Sequence, residues 1–313
     1  MKRIIYVIIF LLPLILMAQQ KLTRQEKKYA KTAQELDVLN LLPDSTDYDP
    51  STFWKCITRN NSKLQKMLAL FETPKGLAKD AYNEVERKKS MASIENMYYD
   101  PEVEGHINNT FRHAILGDNW DGDEIIFRVR HENMINAYST PDGFVYIFEG
   151  LMNKVEGNST MINGALAHEV AHYLFKHMLV HEYMTLKREK SNKIGAAVAI
   201  IGLAAANAAV AVASGGAAKE EDMEKNYQSI IEGSEEWSLA YQYRYGREEE
   251  IVSDIIAYRF LEWTGRNPEL YITMMGYLNL DNITEKTKRY DDHPSGMERI
   301  GVLRALKPAP WTE

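Results

Sequence analysis

The segment His168-Glu169-Val170-Ala171-His172 has the residue types and the spacing of a hydrolytic zinc site. In an α-helix, residues four positions apart lie on nearly the same face, so His168 and His172 can bind one Zn²⁺ ion. Glu169, next to the first histidine, can then act as the catalytic base for a zinc-bound water molecule. An HExxH run can also arise by chance, so the remaining sequence must support the site.

Glu250 offers the third metal ligand, in a helix predicted to run to about Trp263. Glu250 and Asp254 lie one turn apart, on a face that Ala257 and Leu261 continue. Carboxylates on an apolar, inward-facing stripe need a partner, and a metal ion with histidine ligands is a suitable one. We therefore expect Glu250 to bind zinc and Asp254 to accept a hydrogen bond from a ligand imidazole. The alternative is an acidic cluster on the surface.

The neighbouring polar residues fit solvated or packing positions better than ligand positions. Glu248 and Glu249 fall on other faces of their helix and are expected to be solvated. The HExxH helix is predicted over about 159–183, which places His177 and His181 on its far side. We therefore expect these two histidines to lie at the surface or to pack, and not to bind this metal.

A β-rich stretch precedes the HExxH helix. Strands are predicted over 124–130, 136–139 and 143–148, with a turn at Pro141-Asp142-Gly143. An edge strand of such a small antiparallel sheet can bind an extended polypeptide beside the metal, and Asn136-Ala137-Tyr138 is the candidate segment. The alternative is an ordinary structural hairpin.

Two residues near the carboxyl end could complete the catalytic site. His293 lies in a loop before Pro294 and could donate a hydrogen bond to the oxyanion of a tetrahedral intermediate. Arg299 could pair with a nearby carboxylate and fix that loop. The alternative for a lone histidine before proline is a structural role.

The composition limits the partners and the covalent or metal sites that the chain can have. The 313 residues include 44 Asp or Glu and 37 Lys or Arg, which gives a net charge of −7. This acidic balance argues against nucleic acid as a partner. Cys56 is the single cysteine, so the chain can form neither an internal disulfide nor a cysteine-rich metal site.

The amino-terminal residues predict an exported protein of the periplasm or cell envelope. Lys2-Arg3 precede an apolar run over 4–17 and the small residue Ala18, which is typical of a cleaved signal peptide over 1–18. The alternative is an uncleaved membrane anchor. An N-terminal helical layer is expected over 19–90 and the catalytic domain over 91–313.

The segment 194–218 has 25 residues without a charge and is rich in Gly and Ala. Its length would suit a transmembrane helix. Its small side chains and the central Asn207 favour instead a helix or hairpin that covers the active site. Peripheral membrane association is a further expectation.

Together, these elements resemble the zinc metallopeptidase family M48, which includes HtpX-like and CAAX prenyl endopeptidases, and in particular its soluble, exported bacterial branch. The resemblance covers roughly 95–305. It depends on four features: Asn136-Ala137-Tyr138 followed by Pro141-Asp142-Gly143 and Gly150-Leu151; HExxHxxxxH at 168–177; ExxxD at 250–254; and HPxxxxR at 293–299. Ser253 and Asp142 depart from the family pattern, which usually has Ala and Gly there.

The resemblance implies a compact gluzincin domain, an α+β fold that is mainly helical with a small antiparallel sheet. It implies one Zn²⁺ per chain bound by His168, His172 and Glu250, with Glu169 as the base of an endopeptidase. Polypeptides, including misfolded envelope proteins, would be the substrates. The alternative function is an envelope chaperone or binding module with a latent or self-inhibited site, although a pure binder has no need of Glu169. A purely structural zinc site is a further alternative, which the HExxH arrangement disfavours.

Overall fold

The computed structural model describes residues 24, 27–28, 30–31, 38–43, 48–95, 101–191, 193, 246–278 and 294–306. The expected signal peptide at 1–18, the Gly/Ala-rich segment at 194–218 and His293 lie outside these residues. Within the described ranges, every helix is too short or too polar to cross a bilayer.

The mainly helical α+β fold is confirmed. Helices and strands follow one another in this order: α1 (Val38–Leu41), α2 (Pro50–Arg59), α3 (Ser62–Glu72), α4 (Leu77–Glu95), α5 (Pro101–Leu116), β1 (Ile126–Arg130), β2 (Ala137–Ser139), β3 (Phe144–Phe148), α6 (Glu149–Lys154), α7 (Ser159–Leu174), α8 (177–191), α9 (246–263), α10 (Glu269–Leu278) and α11 (Gly296–Arg304).

Short polar side chains fix where four of these helices begin. The side-chain oxygens of Asp49, Asn61, Asn158 and Ser295 accept backbone N–H groups in the first turns of α2, α3, α7 and α11. Such N-caps satisfy donors that the helix itself leaves without a partner. The cap at Asn158 matters most for function, because α7 carries the HExxH motif.

The sheet is mixed, which corrects the expected antiparallel arrangement. Its strand order is β1-β3-β2, with β1 parallel and β2 antiparallel to β3. A tight turn at 140–143 joins β2 to β3 and makes them a hairpin, whereas the chain leaving β1 must pass the end of β3 to reach β2. In the described part of the chain, β2 is therefore an edge strand.

The single helix predicted over 159–183 is wrong, because the chain breaks at Phe175-Lys176. Helix α7 ends at Leu174, and Lys176 adopts the left-handed φ of 52° before α8 begins. Neither Gly nor Pro marks this break in the sequence. His177 therefore opens a separate helix, and its position does not follow the periodicity of α7.

Helix α7 lies at the centre of the core, with most of its side chains buried. Its neighbours include β2, β3, α5 and α10. The N-terminal helices pack onto the same core: the Phe53 and Trp54 rings lie 5.5 and 5.3 Å from the ring of Phe260 in α9. The indole N–H of Trp54 also donates to the Ile115 carbonyl at 2.7 Å. These contacts join α2 to both α9 and the end of α5.

Candidate metal centre and active site

His168 and His172 of α7 meet Glu250 of α9 at one point in the structure. The Nε2 atoms of the two imidazoles are 3.1 Å apart. Glu250 places one carboxylate oxygen 3.5 Å from His168 Nε2 and the other 3.2 Å from His172 Nε2. All three side chains thus offer ligand atoms within 4.8 Å of one another. The described residues therefore contain one group that could hold a metal ion, made of the three predicted ligands.

The chemistry of this donor set fits zinc. Two imidazole nitrogens and one carboxylate are a common protein ligand set for catalytic Zn²⁺, which keeps its fourth position for water or substrate. His168 is 6% exposed and Glu250 8% exposed, whereas the side chain of His172 is 19% exposed and lines the adjacent cleft. The three side chains are thus held mostly inside the protein, while one side of the site opens toward the cleft.

Asp254 and Arg299 support the triad from behind. Asp254 accepts a hydrogen bond from His168, with Oδ1 2.9 Å from Nδ1. Arg299 donates two hydrogen bonds to the Asp254 carboxylate, at 2.7 and 2.6 Å. Burial alone would raise the pKa of Asp254, but the Arg299 charge and hydrogen bonds hold that pKa below its ordinary value. Asp254 therefore stays ionised and fixes the orientation of the His168 ring.

The electrostatics around His168 also favour a cation at the triad. Burial lowers the pKa of this imidazole, but hydrogen bonds and charges from Asp254 and Glu250 raise it to about 10. The two carboxylates thus stabilise a positive charge on or near the ring. A divalent metal ion would benefit from the same interaction in place of the proton.

Glu169 lines two cavities that members of the triad also line. It borders both the large cavity of about 950 Å³ in front of the triad and a smaller cavity of about 320 Å³ beside it. Burial raises the pKa of Glu169, while His168 and His172 oppose that rise, as does a hydrogen bond with Ser139 of β2. A raised carboxylate pKa suits a group that must take up a proton and then release it.

A sequence comparison decides the family. The sequence profile of Peptidase family M48 matches residues 104–307. The chain belongs to peptidase family M48. The match contains every described residue of the triad and its supporting pair, and it begins after α4.

Two curated metalloproteases are similar to this M48 chain. Metalloprotease YcaL of Escherichia coli (strain K12) is 25% identical over 189 residues, which cover 60% of this chain and 65% of the relative. Metalloprotease LoiP of the same organism is 22% identical over 189 residues, with the same coverage of 60% and 65%. The chain thus spans 65% of the length of each of these relatives. The family is named as a peptidase family, and both relatives are named as metalloproteases.

Tyr271 of α10 is a contact of this M48 site that the sequence did not reveal. Its hydroxyl donates to Asp254 Oδ1 at 2.8 Å and lies 3.2 Å from His168 Nδ1. The ring can approach because α7 has Gly164 at the crossing, where a Cβ would lie 2.6 Å from a Tyr271 ring carbon. Tyrosine in an apolar helix carries no local signal for such a role, since only the packing of α7 on α10 reveals it.

His177 contacts a proposed ligand, which corrects its expected place on the far side of the helix. It is 8% exposed, and its Nδ1 lies 3.0 Å from Nδ1 of His172. The hydroxyl of Ser253, one of the departures from the family pattern, lies 3.4 Å from Nδ1 of His177. Burial holds the pKa of His177 well below its ordinary value, so the ring is neutral and can accept the N–H of His172.

Glu249 is enclosed, which corrects its expected solvated position. Its side chain is 13% exposed, and its Oε2 lies 3.6 Å from Nδ1 of His181 in α8. Burial raises the pKa of Glu249, and the interaction with His181 opposes this rise. Glu248, by contrast, is 28% exposed and forms an ion pair with Lys28 at 2.9 Å. The crossing of α8 over α9 explains the difference between these sequence neighbours.

The candidate substrate segment borders the large cavity. Asn136, Ala137 and Tyr138 all line it, and β2 pairs with β3 along its other edge. His293 lies outside the described residues, so its oxyanion role stays a prediction. Its sequence neighbour Pro294 lines the smaller cavity, as does Arg299.

Proposed function

We propose that this protein is a zinc-dependent metalloendopeptidase that hydrolyses peptide bonds through a water molecule activated by Glu169. The observation that carries this proposal is the position of Glu169. It adjoins the His168–His172–Glu250 group and borders the same cleft as the edge strand β2. A base, a metal triad and a strand that can bind main chain are the parts that peptide hydrolysis requires.

Each side chain has a defined task in the proposed reaction. When bound, one zinc ion per chain would supply a Lewis acid that lowers the pKa of a water molecule to about 7. Glu169 takes the proton as the water attacks the scissile carbonyl, and then delivers it to the leaving amine. His293 is proposed to stabilise the oxyanion through a hydrogen bond. Asp254 and His177 keep the two imidazoles oriented.

The edge of β2 supports binding of a polypeptide in an extended conformation. Ala137, Tyr138 and Ser139 use one edge to pair with β3, and their cleft side is where an added strand would lie. Main-chain pairing recognises the middle of a chain and needs no free terminus. This mode of binding favours endopeptidase activity over trimming from an end.

We further propose that the protein acts in the quality control of envelope proteins, after export to the periplasm or cell envelope. The basic start at Lys2-Arg3 and the apolar run over 4–17 support export. Misfolded envelope proteins are the proposed substrates, and peripheral association with the membrane would bring the enzyme near them. Carbonate extraction of membranes would distinguish such association from an anchored form.

A digestion of denatured protein tests the activity. The full chain should cleave a denatured substrate at internal bonds, and a chelator should stop cleavage until zinc is restored. Glu169→Gln should keep its zinc and lose cleavage. If Glu169→Gln cleaves as fast as the wild type, Glu169 is not the base. If the zinc-loaded wild type binds denatured protein without cleaving it, the binding-module alternative replaces the proposal.

A further inference from the structure

The cleft in front of the metal triad has an unusual charge. Of the residues that the structure describes, nine Asp or Glu side chains and one Lys line it. That lysine, Lys176, already pairs with Asp123 at 2.6 Å. The whole chain is much less unbalanced, with 44 acidic and 37 basic residues. The acidity of the cleft is therefore a local feature, and it favours a cationic group on whatever enters.

Glu249 provides a specific acceptor in this cleft. Its Oε1 is buried and has no hydrogen-bond partner among the described residues, while its Oε2 lies 3.6 Å from Nδ1 of His181. Buried carboxylate oxygens are normally hydrogen-bonded, and each exception requires an explanation. Because the Glu249 side chain also lines the cleft, a cationic donor on the substrate can approach its carboxylate from there.

Apolar side chains line the same cleft as Glu249. They include Leu68 and Phe71 of α3, Val85 of α4 and Leu179 of α8. The α3–α4 hairpin is held there by an edge contact between the Phe71 and Tyr183 rings at 5.7 Å. An apolar wall that leads to a carboxylate matches the methylene stem and cationic head of lysine or arginine.

Resting on the proposed function, we infer that Glu249 and the α3–α4 hairpin form a subsite for a lysine or arginine side chain of the polypeptide substrate. The hairpin lies outside the region that the M48 profile matches, whereas Glu249 lies within it. A second metal ion is a poorer occupant, because the one described group with metal-ligand spacing consists of other residues.

Cleavage-site profiling tests the subsite. A denatured peptide library should be digested with the wild type, Glu249→Gln and Glu248→Gln, and every new terminus identified by mass spectrometry. We expect the wild type to favour Lys or Arg at one fixed position from the cut by about tenfold, because a buried charged hydrogen bond contributes that much. Glu249→Gln should lose this preference. Glu248→Gln is the matched control, since it removes a charge from the same helix outside the cleft and should keep it.

A binding measurement separates the subsite from the activity. Two peptides that differ only by Lys or Met at the favoured position should be titrated into the zinc-loaded Glu169→Gln variant and into the double variant that also carries Glu249→Gln. If the wild type cleaves nothing, the favoured position is unknown, and the Lys–Met exchange should be made at each peptide position in turn. We expect tighter binding of the Lys peptide only while Glu249 is present. Absence of cleavage with retained Lys preference would reject the peptidase but not the subsite. Equal binding of the two peptides, or a preference that survives Glu249→Gln with normal zinc content, would overturn the subsite.

Discussion

His172 and His177 face each other through their Nδ1 atoms at 3.0 Å, although a broken helix separates them in the chain. If His172 binds zinc through Nε2, its Nδ1 carries the proton that His177 accepts. The other histidine ligand, His168, uses the ionised Asp254 as its acceptor. The two proposed ligands thus have unequal partners: a carboxylate strengthens one imidazole as a donor to the metal, and a neutral ring orients the other.

Removal of this partner should weaken the metal site. We expect His177→Phe to reduce zinc affinity by roughly 10- to 100-fold while the protein remains folded, because His172 loses the acceptor that fixes its ring. Competition with a fluorescent chelator measures the change. Ser253→Ala is the control, since it removes only the longer contact to His177, and its affinity should stay close to that of the wild type. Wild-type affinity in His177→Phe would show that the contact has no positioning role.

Zinc affinity should depend steeply on pH. Without metal, Asp254 and Glu250 raise the pKa of His168 to about 10, so the folded protein holds a proton on this ring near neutrality. That proton stabilises the metal-free fold fully below the ordinary histidine pKa, and its contribution is lost as the pH rises through about 10. Zinc must displace it, so affinity should rise by about tenfold per pH unit between pH 6.5 and 8.5. Chelator competition measures the affinity across this range. A constant affinity would contradict the role of His168 as a metal ligand.

Part of this site could be predicted from the sequence because its spacing is local. HExxH and ExxxD each place two side chains on one helix face, so four positions follow from helical periodicity alone. The burial of Glu249 and His177 could not be predicted, since it arises from the break at Lys176 and from the crossing of α8 over α9. A left-handed lysine leaves no mark in the sequence comparable to that of Gly or Pro.

The sheet was likewise predictable only in its local features. The three strands could be predicted from their β-rich composition, and the turn before β3 from Pro141-Asp142-Gly143. The order β1-β3-β2 could not be predicted, because it depends on contacts between segments that are far apart in the sequence. The α2 aromatic residues in the core show this dependence, since they pack on α9 from about 200 positions away in sequence.

Two glycine substitutions should separate close packing from helix propensity. Gly164→Ala should lower the free energy of unfolding by about 1–3 kcal/mol, because its Cβ would lie 2.6 Å from the Tyr271 ring and must displace it. Gly276→Ala meets no atom within 4 Å, so it should be neutral or stabilise by up to about 1 kcal/mol through helix propensity. Urea unfolding measures both. Equal effects of the two substitutions would show that α7 and α10 do not pack as described.

The hydroxyl of Tyr271 should contribute to stability through the Asp254 carboxylate. Tyr271→Phe removes a buried hydrogen bond to a charged group and should cost about 1.5–3 kcal/mol in the free energy of unfolding. Tyr277→Phe, on the same helix and only partly buried, is the matched control and should cost less than about 0.5 kcal/mol. Indistinguishable unfolding curves for Tyr271→Phe and the control would remove this hydroxyl from the network.

The pairing of Arg299 with Asp254 should set the acid stability of the protein. Arg299 holds the pKa of Asp254 below its ordinary value, so the carboxylate stabilises the fold above about pH 4 and loses this contribution as the pH falls through the lowered pKa. In Arg299→Met, burial of Asp254 is no longer offset and its pKa should rise, so acid unfolding should begin at a higher pH. The same variant should lose about 3–5 kcal/mol in the free energy of unfolding at neutral pH, because it leaves a buried charge without its partner.

Arg299→Lys keeps the charge but not the two parallel hydrogen bonds, so its onset of acid unfolding should fall between those of Arg299→Met and the wild type. Circular dichroism at pH values from 7 down to 2 measures the onset, and an unchanged onset in Arg299→Met would show that this ion pair does not control it.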